Sequence, residues 1–134
     1  MKYSTPYIAP ILTVDAVIFQ LNGTELEVLL TQRQEEPFKG EWALPGGYNS
    51  VGQTTLEALS AVVRRKVGLD LDAQLAYVEQ LYTFDTVARD PRGHAVSVTY
   101  MGCGRAIELT GGSQHAEFFP VDKLPGLAYD HAKI

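Results

Sequence analysis

Cysteine is almost absent from this chain of 134 residues, with Cys103 standing alone. A lone thiol excludes an internal disulfide and a cysteine-rich zinc site. It lies in the apolar run VSVTYMGCG, where a small buried filler is expected and a reactive thiol is the alternative. Positive charge is also in short supply, with 11 Lys and Arg against 16 Asp and Glu and a net charge of −5. Binding to a nucleic-acid backbone needs a basic surface, so these residues by themselves are not expected to hold DNA. No apolar stretch approaches the ~18 residues of a membrane span. The start MKYSTPYIAPILTVDAVIF lacks a basic region followed by a long apolar block and a small-residue cleavage site. No membrane partner and a cytoplasmic location are the expectations. Internal repeats, low-complexity tracts and linkers are missing too, and the length suits one domain that buries roughly two thirds of its unfolded surface.

What is present follows a clear order. ILTVDAVIFQ (11–20) and LEVLLTQ (26–32) are β-rich runs around LNGTE, and Asn22-Gly23 is a strong hairpin signal, so they are predicted to pair antiparallel. QEEPFKGE (34–41) reads as a loop, and Trp42-Ala43-Leu44 as a short strand stopped by Pro45-Gly46-Gly47. From Thr54 to Val67 the spacing of Leu56, Leu59, Val63 and Val67 predicts a helix with one apolar stripe, ended by Gly68. LAYVEQLYTF (75–84) and AVSVTYM (95–101) read as strands joined by a polar loop, and a short strand follows around Ala116 to Pro120. The chain closes on AYDHAKI, where Asp130 would cap a helix that has no length to form. The total is an α/β domain with a mixed sheet and one or two helices. Asp15 interrupts an apolar strand, which predicts a hydrogen-bonded or ladder-edge carboxylate. His94, His115 and His131 show no metal-ligand spacing.

The chemistry centres on Gly46-Gly47. Adjacent glycines permit positive φ and a close approach of backbone to phosphate, and a helix N-terminus just beyond adds unpaired N–H groups; an ordinary turn is the alternative. The distances that follow carry a resemblance. Gly47, five residues, Gln53, seven residues and then AVVRRKVGL (61–69) have the length and glycine positions of the Nudix box, G-x5-E-x7-R-E-U-x-E-E-x-G-U, where U is aliphatic. Arg33, Trp42 and ALPGG are similar to the approach to that box. VEQLYTF, ARDPRGHAVSVTYMG and LPGLAYDHA resemble the ADP-ribose-type branch of the family, including its transcriptional regulators of NAD metabolism.

The resemblance implies a Nudix-type α/β/α sandwich with a mixed sheet, residues 1–134 forming a single domain truncated before its C-terminal helix. Within the box, Gly47, Gly68, Val63 and Leu69 match, but Ala61 stands for the arginine, and Gln53, Val62, Arg65 and Lys66 stand for the four glutamates. Every carboxylate that the family places on Mg²⁺ is therefore replaced. Magnesium wants hard oxygen ligands. A cation ~4–6 Å away opposes a divalent ion by several kcal/mol, so Arg65 and Lys66 repel it and could contact phosphates directly. Glu57 remains as the only helix acid, read as a solvated charge. Arg64, Arg65 and Lys66 either meet the negative end of the helix dipole or supply a phosphate contact.

The candidate ligand-binding residues are Arg33, Phe38, Trp42, Gly46, Gly47, Arg65, Asp85, Arg89 and Arg92. Guanidinium groups suit bidentate diphosphate binding, and Phe38 or Trp42 either stacks on an adenine or belongs to the core. No catalytic residue and no metal ligand is assigned, and no cofactor is expected. The preferred function is a sensor that binds ADP-ribose or a related nucleoside diphosphate without hydrolysing it. In the regulators it resembles, a winged-helix domain follows, so DNA would be reached only through a domain outside this chain. A homodimer is implied too, with YIAPIL (7–12) as the segment to cross to a partner. The alternative is a Mg²⁺-dependent hydrolase whose metal is held by Glu57, Glu79 or loop acids.

Overall fold

The Asn22-Gly23 signal is used as its chemistry allows. Gly23 takes φ +65°, and the reversal at Gly23-Thr24 returns strand β1 (Ile11–Asn22) against β2 (Glu25–Gln32), with Asn22 opposite Glu25 and Phe19 opposite Val28. The computed structural model describes residues 7–134. On one edge β1 pairs in parallel with β6 (Ala95–Gly104) from Ile11 to Gln20. β5 (Leu75–Phe84) lies outermost, antiparallel to β6. The other edge of β1 is divided. The end beyond Phe19 takes β2, whereas Thr13–Asp15 take β4 (Gly46–Tyr48) antiparallel. β2 in turn pairs with β3 (Trp42–Ala43) through Thr31 and Gln32, and on its far edge with β7 (Ala116–Pro120). The arms of the hairpin therefore part, and Trp42–Tyr48 spans part of the opening, β3 on one arm and β4 on the other. All seven strands belong to one mixed sheet.

The glycine pair thus forms a strand where a stop was expected. Neither Gly46 nor Gly47 has positive φ. What requires glycine is proximity: a Cβ on Gly46 would lie 2.2 Å from Asp15 Oδ1, and one on Gly47 would lie 3.0 Å from a Val62 methyl. Leu71–Gln74 (α2) is a one-turn helix because the Asp70 carboxylate accepts from the Asp72 and Ala73 amides at its start.

The long helix α1 (Thr55–Val67) begins at Thr54, whose hydroxyl accepts from the Glu57 amide while the Glu57 carboxylate accepts from the Thr54 amide. This reciprocal cap stabilises the first turn by about 1 kcal/mol. It also occupies the one acid of the helix. Gly68 ends the helix at φ +70°. The predicted stripe holds for Leu59, Val63 and Val67, but Leu56 stays 45% exposed and Val62 is buried. Leu56 falls in the first turn, beside a shallow groove with Thr54, Ser60 and Val78, whereas Val62 packs on Gly47.

α1 covers one face of the sheet, where Leu59, Val63 and Val67 join Val14, Ala16, Ile18 and Leu29. On the other face Val17, Val28, Leu30 and Leu44 pack with Trp42, Phe119, Leu127 and Ile134. The last residues, which include a 3-10 turn at His131–Lys133, thereby cover the second side of the sheet. Cys103 is a further correction: it is exposed. Strand alternation sets it on the side of Ser97 and Thr99, which is open to solvent at this end of β6. In YIAPIL, Ile8, Ile11 and Leu12 are exposed at the start of β1. Among the described residues no helix is long and apolar enough to cross a membrane.

Candidate functional site

Where the hairpin arms part, a cleft of about 480 Å³ opens, lined in part by Asp15, Gly46, Gly47, Arg33, Lys66 and Tyr129. Its volume falls within the range of small-molecule sites. Of the candidates named from sequence, Arg33, Gly46, Gly47, Arg65, Arg89 and Arg92 line it. The other three lie elsewhere. Asp85 is exposed on the β5–β6 connection. Trp42 packs edge-on against Phe119 and His115 on the second core face. Phe38 buttresses the cleft from behind, its ring 4.8 Å from that of Tyr129.

The floor is polar and buried. Asp15 Oδ2 accepts from Ser97 Oγ at 2.5 Å, and Ser97 in turn shares a 2.9 Å hydrogen bond with Thr99. Asp15 Oδ1 lies 3.7 Å from His131 Nε2. His131 Nδ1 accepts from the Leu44 amide at 3.0 Å, so the ring proton sits on Nε2 and faces Asp15. Burial pushes the His131 pKa down, and Asp15 only partly opposes this. A neutral imidazole therefore braces the floor.

Two of the arginines already hold carboxylates. Arg89 is bidentate to Asp130, at 3.0 Å through Nε and 2.7 Å through Nη2, and its side chain is only 4% exposed. This ion pair corrects the expectation for Asp130: the carboxylate makes no cap bond to the 3-10 turn, because Arg89 takes both its oxygens. Arg92 is bidentate to Asp90 and also donates to the Tyr48 hydroxyl at 3.1 Å. Burial pushes Asp90 up, but its hydrogen bonds from Arg92 together hold it below the usual carboxylate range.

Tyr129 lies within LPGLAYDHA but is not among the candidates named from sequence, yet the cleft is arranged around it. The guanidinium carbons of Arg33 and Arg92 stand 5.0 and 5.6 Å from its ring centroid. Its backbone is left-handed, at φ +54°, a conformation that costs a bulky residue on the order of 1 kcal/mol. Among the described residues its hydroxyl is one of two buried side-chain polar atoms without a hydrogen-bond partner. Burial also raises its pKa. The consecutive residues Tyr129, Asp130 and His131 thus meet Arg33 and Arg92, Arg89, and the Leu44 amide with Asp15 in turn.

The α1 wall is cationic. Arg64 points away, to an exposed ion pair with Asp70, while Arg65 and Lys66 face the cleft. Lys66 Nζ donates to the Gly46 carbonyl at 2.7 Å. Burial, followed by the charges of Arg65 and Arg33, pushes its pKa down, with Asp15 opposing. The end of α1 is held by the loop through Gly111-Gly112: Ser113 and Gln114 donate their amides to the Arg65 and Lys66 carbonyls, both at 3.0 Å. At Gly112 a Cβ would lie 2.1 Å from the Lys66 carbonyl oxygen, so only glycine lets this strap run so close.

A divalent ion needs several oxygen donors around one point. Here the helix offers Val62, Arg65 and Lys66. Glu57 is spent on its cap, Glu79 is exposed on β5 outside the cleft, and Asp15 and Asp90 are engaged as described, which leaves Glu35 as the one other acid among the lining residues. Among the described residues no three His, Cys, Asp or Glu side chains are grouped to hold a metal. These residues do not fit magnesium. They fit an anion.

The NUDIX domain family model matches residues 10–134. An ADP-ribose pyrophosphatase of Methanocaldococcus jannaschii is 37% identical over 131 residues, covering 96% of this chain and 72% of that protein. The ADPR responsive transcriptional repressor NtrR of Acinetobacter baylyi is 33% identical over 130 residues, or 93% of this chain. The chain spans about half of that repressor, 51% of its length. Among solved structures, the NUDIX domain of Shewanella oneidensis NrtR complexed with ADP ribose matches with a TM-score of 0.80 at 32% identity, covering 95% of this chain and 84% of that one.

Proposed function

Because this chain belongs to the NUDIX domain family, we propose that its cleft binds ADP-ribose or a related nucleoside diphosphate without hydrolysing it, as the ligand-sensing domain of a transcriptional regulator. The observation that carries the reading is the α1 wall. Where the family's box has glutamates for a metal, this chain presents Val62, Arg65 and Lys66 beside Gly46 and Gly47. Fold alone implies no activity; the side chains of the site decide it. Arg33, Arg65, Lys66 and Arg92 offer positive charge and N–H donors to a diphosphate. The unpartnered hydroxyl of Tyr129 offers a further donor. The likeness to a repressor named as ADPR responsive, and to an NrtR domain complexed with ADP ribose, supports that ligand class. A domain outside these residues would supply the DNA contact, and the protein would work as a cytoplasmic homodimer.

A second reading, a magnesium-dependent hydrolase of nucleoside diphosphates, draws on the 37% identity to a pyrophosphatase. Calorimetric titration with ADP-ribose, with and without Mg²⁺, followed by assay of the same sample for AMP, separates the two. Binding that ignores the metal and leaves no AMP supports the sensor. Magnesium-dependent AMP release refutes it.

A further inference from the structure

We propose that the Lys66 ammonium is a tethered cation that takes the place of a divalent ion, so that this cleft holds a diphosphate with no metal between ligand and protein. The inference rests on the nucleoside diphosphate reading above and adds the group that makes it possible.

Three observations converge on it. Lys66 Nζ is fixed by the Gly46 carbonyl at 2.7 Å, so its position is set by the glycine strand and not by a free side chain. A Cβ on Gly47 would stand 3.7 Å from the same Nζ, and 3.0 and 3.3 Å from the two methyls of Val62. The gap between α1 and β4 is therefore occupied by an ammonium and an isopropyl group, which leaves neither the room nor the oxygen cage that a hydrated ion needs. The charges that act most strongly on Lys66 are mostly cationic: Arg65, Arg33 and Arg92 oppose its charge, and Asp15, which favours it, is bound to Ser97.

An ammonium carries three donors. One is used on Gly46. The other two remain for oxyanions, and a diphosphate brings several. A bridging metal would supply both charge and coordination. Lys66 supplies the charge at a fixed point, and Arg65 adds to it from the preceding position on the same helix end. Because the carrier is a side chain, binding is complete in the absence of divalent ions.

The test is calorimetric titration of wild-type protein, Lys66→Met and Lys66→Arg with ADP-ribose and, separately, with inorganic pyrophosphate, each in EDTA and again in Mg²⁺. Electron paramagnetic resonance of Mn²⁺ runs alongside, and circular dichroism checks that each variant is folded. The proposal expects wild-type protein to bind pyrophosphate fully in EDTA and no more tightly in Mg²⁺, which competes for the anion in solution. It expects a loss of about 10- to 100-fold in Lys66→Met, the worth of a charged hydrogen bond, with most of the loss recovered in Lys66→Arg. A tenfold gain in wild-type affinity on adding Mg²⁺, with protein-bound Mn²⁺ in the spectrum, overturns it. So does a folded Lys66→Met that binds as tightly as wild type. Metal-free, Lys66-dependent binding of pyrophosphate by a protein that ignores ADP-ribose would leave this inference standing and remove the nucleoside reading.

Discussion

Gly112→Ala tests whether the strap across the end of α1 positions the cationic wall. The added methyl would stand 2.1 Å from the Lys66 carbonyl oxygen and 2.4 Å from the Val67 nitrogen, both backbone atoms that no rotamer change can move aside. The strap must withdraw. It then forfeits the Ser113 and Gln114 amide bonds to the Arg65 and Lys66 carbonyls. At about 0.5–1.5 kcal/mol each, the two are worth about 1–3 kcal/mol. An unfolding entropy of about 2.1 cal/mol/K per residue gives about 0.28 kcal/mol/K for this chain, so Tm should fall by about 4–11 °C. Affinity for diphosphate should fall as well, because Arg65 and Lys66 lose the partner that fixes their turn. Gly126→Ala is the control, since nothing lies within 4 Å of its added methyl. Thermal unfolding by circular dichroism and calorimetric titration read the two effects. A Gly112→Ala protein that melts within about 1 °C of wild type would refute the argument, because the clash and the lost bonds would then carry no cost.

Three further outcomes follow. Asp130→Ala leaves the Arg89 guanidinium, 4% exposed, without its carboxylate, and urea unfolding should show a loss of about 3–5 kcal/mol; a loss under about 1 kcal/mol would mean that Arg89 finds water or another acceptor. The pKa of His131 is lowered by burial, so the unfolded chain binds a proton that the folded chain refuses. Stability should then be flat above about pH 6.5 and decline below it by up to about 1.4 kcal/mol per pH unit, and His131→Gln should flatten that acid limb. An unaltered limb in the variant would assign the decline to other groups. Cys103, being exposed, should react with a thiol reagent in the native protein as fast as in denaturant, and protection in the native state would contradict its placement.

Sequence reveals what is local here. The hairpin at Asn22-Gly23, the strands 75–84 and 116–120, and α1 with its closing Gly68 are written in short-range pattern, and the structure keeps them. The motif spacing from Gly47 to Leu69 likewise marked one wall of the cleft. The opposite wall has no fixed spacing of that kind, only the likeness of ARDPRGH and LPGLAYDHA. Tyr129 and His131 lie more than 80 residues from the Leu44 amide and the Asp15 carboxylate in sequence, and only the covering of the sheet's second face brings them together. Arg89 and Arg92 read as free clamps because sequence shows a cation without showing its partner; Asp130 and Asp90 take up their forks. Cys103 departs from its expected burial for a related reason. Apolar neighbours along a strand say that it is buried somewhere, but not on which side or how far along.

The parting of the β1–β2 hairpin has one more effect. The cleft exists because two backbones diverge and Trp42–Tyr48 bridges them only partly, so its opening is set by strand routing and not by the bulk of the groups around it. Exchanging an acid for a lysine on α1 leaves the routing of the two backbones as it is and changes the charge and the free space at that wall. A scaffold of this kind can trade one occupation for another without first having to be rebuilt.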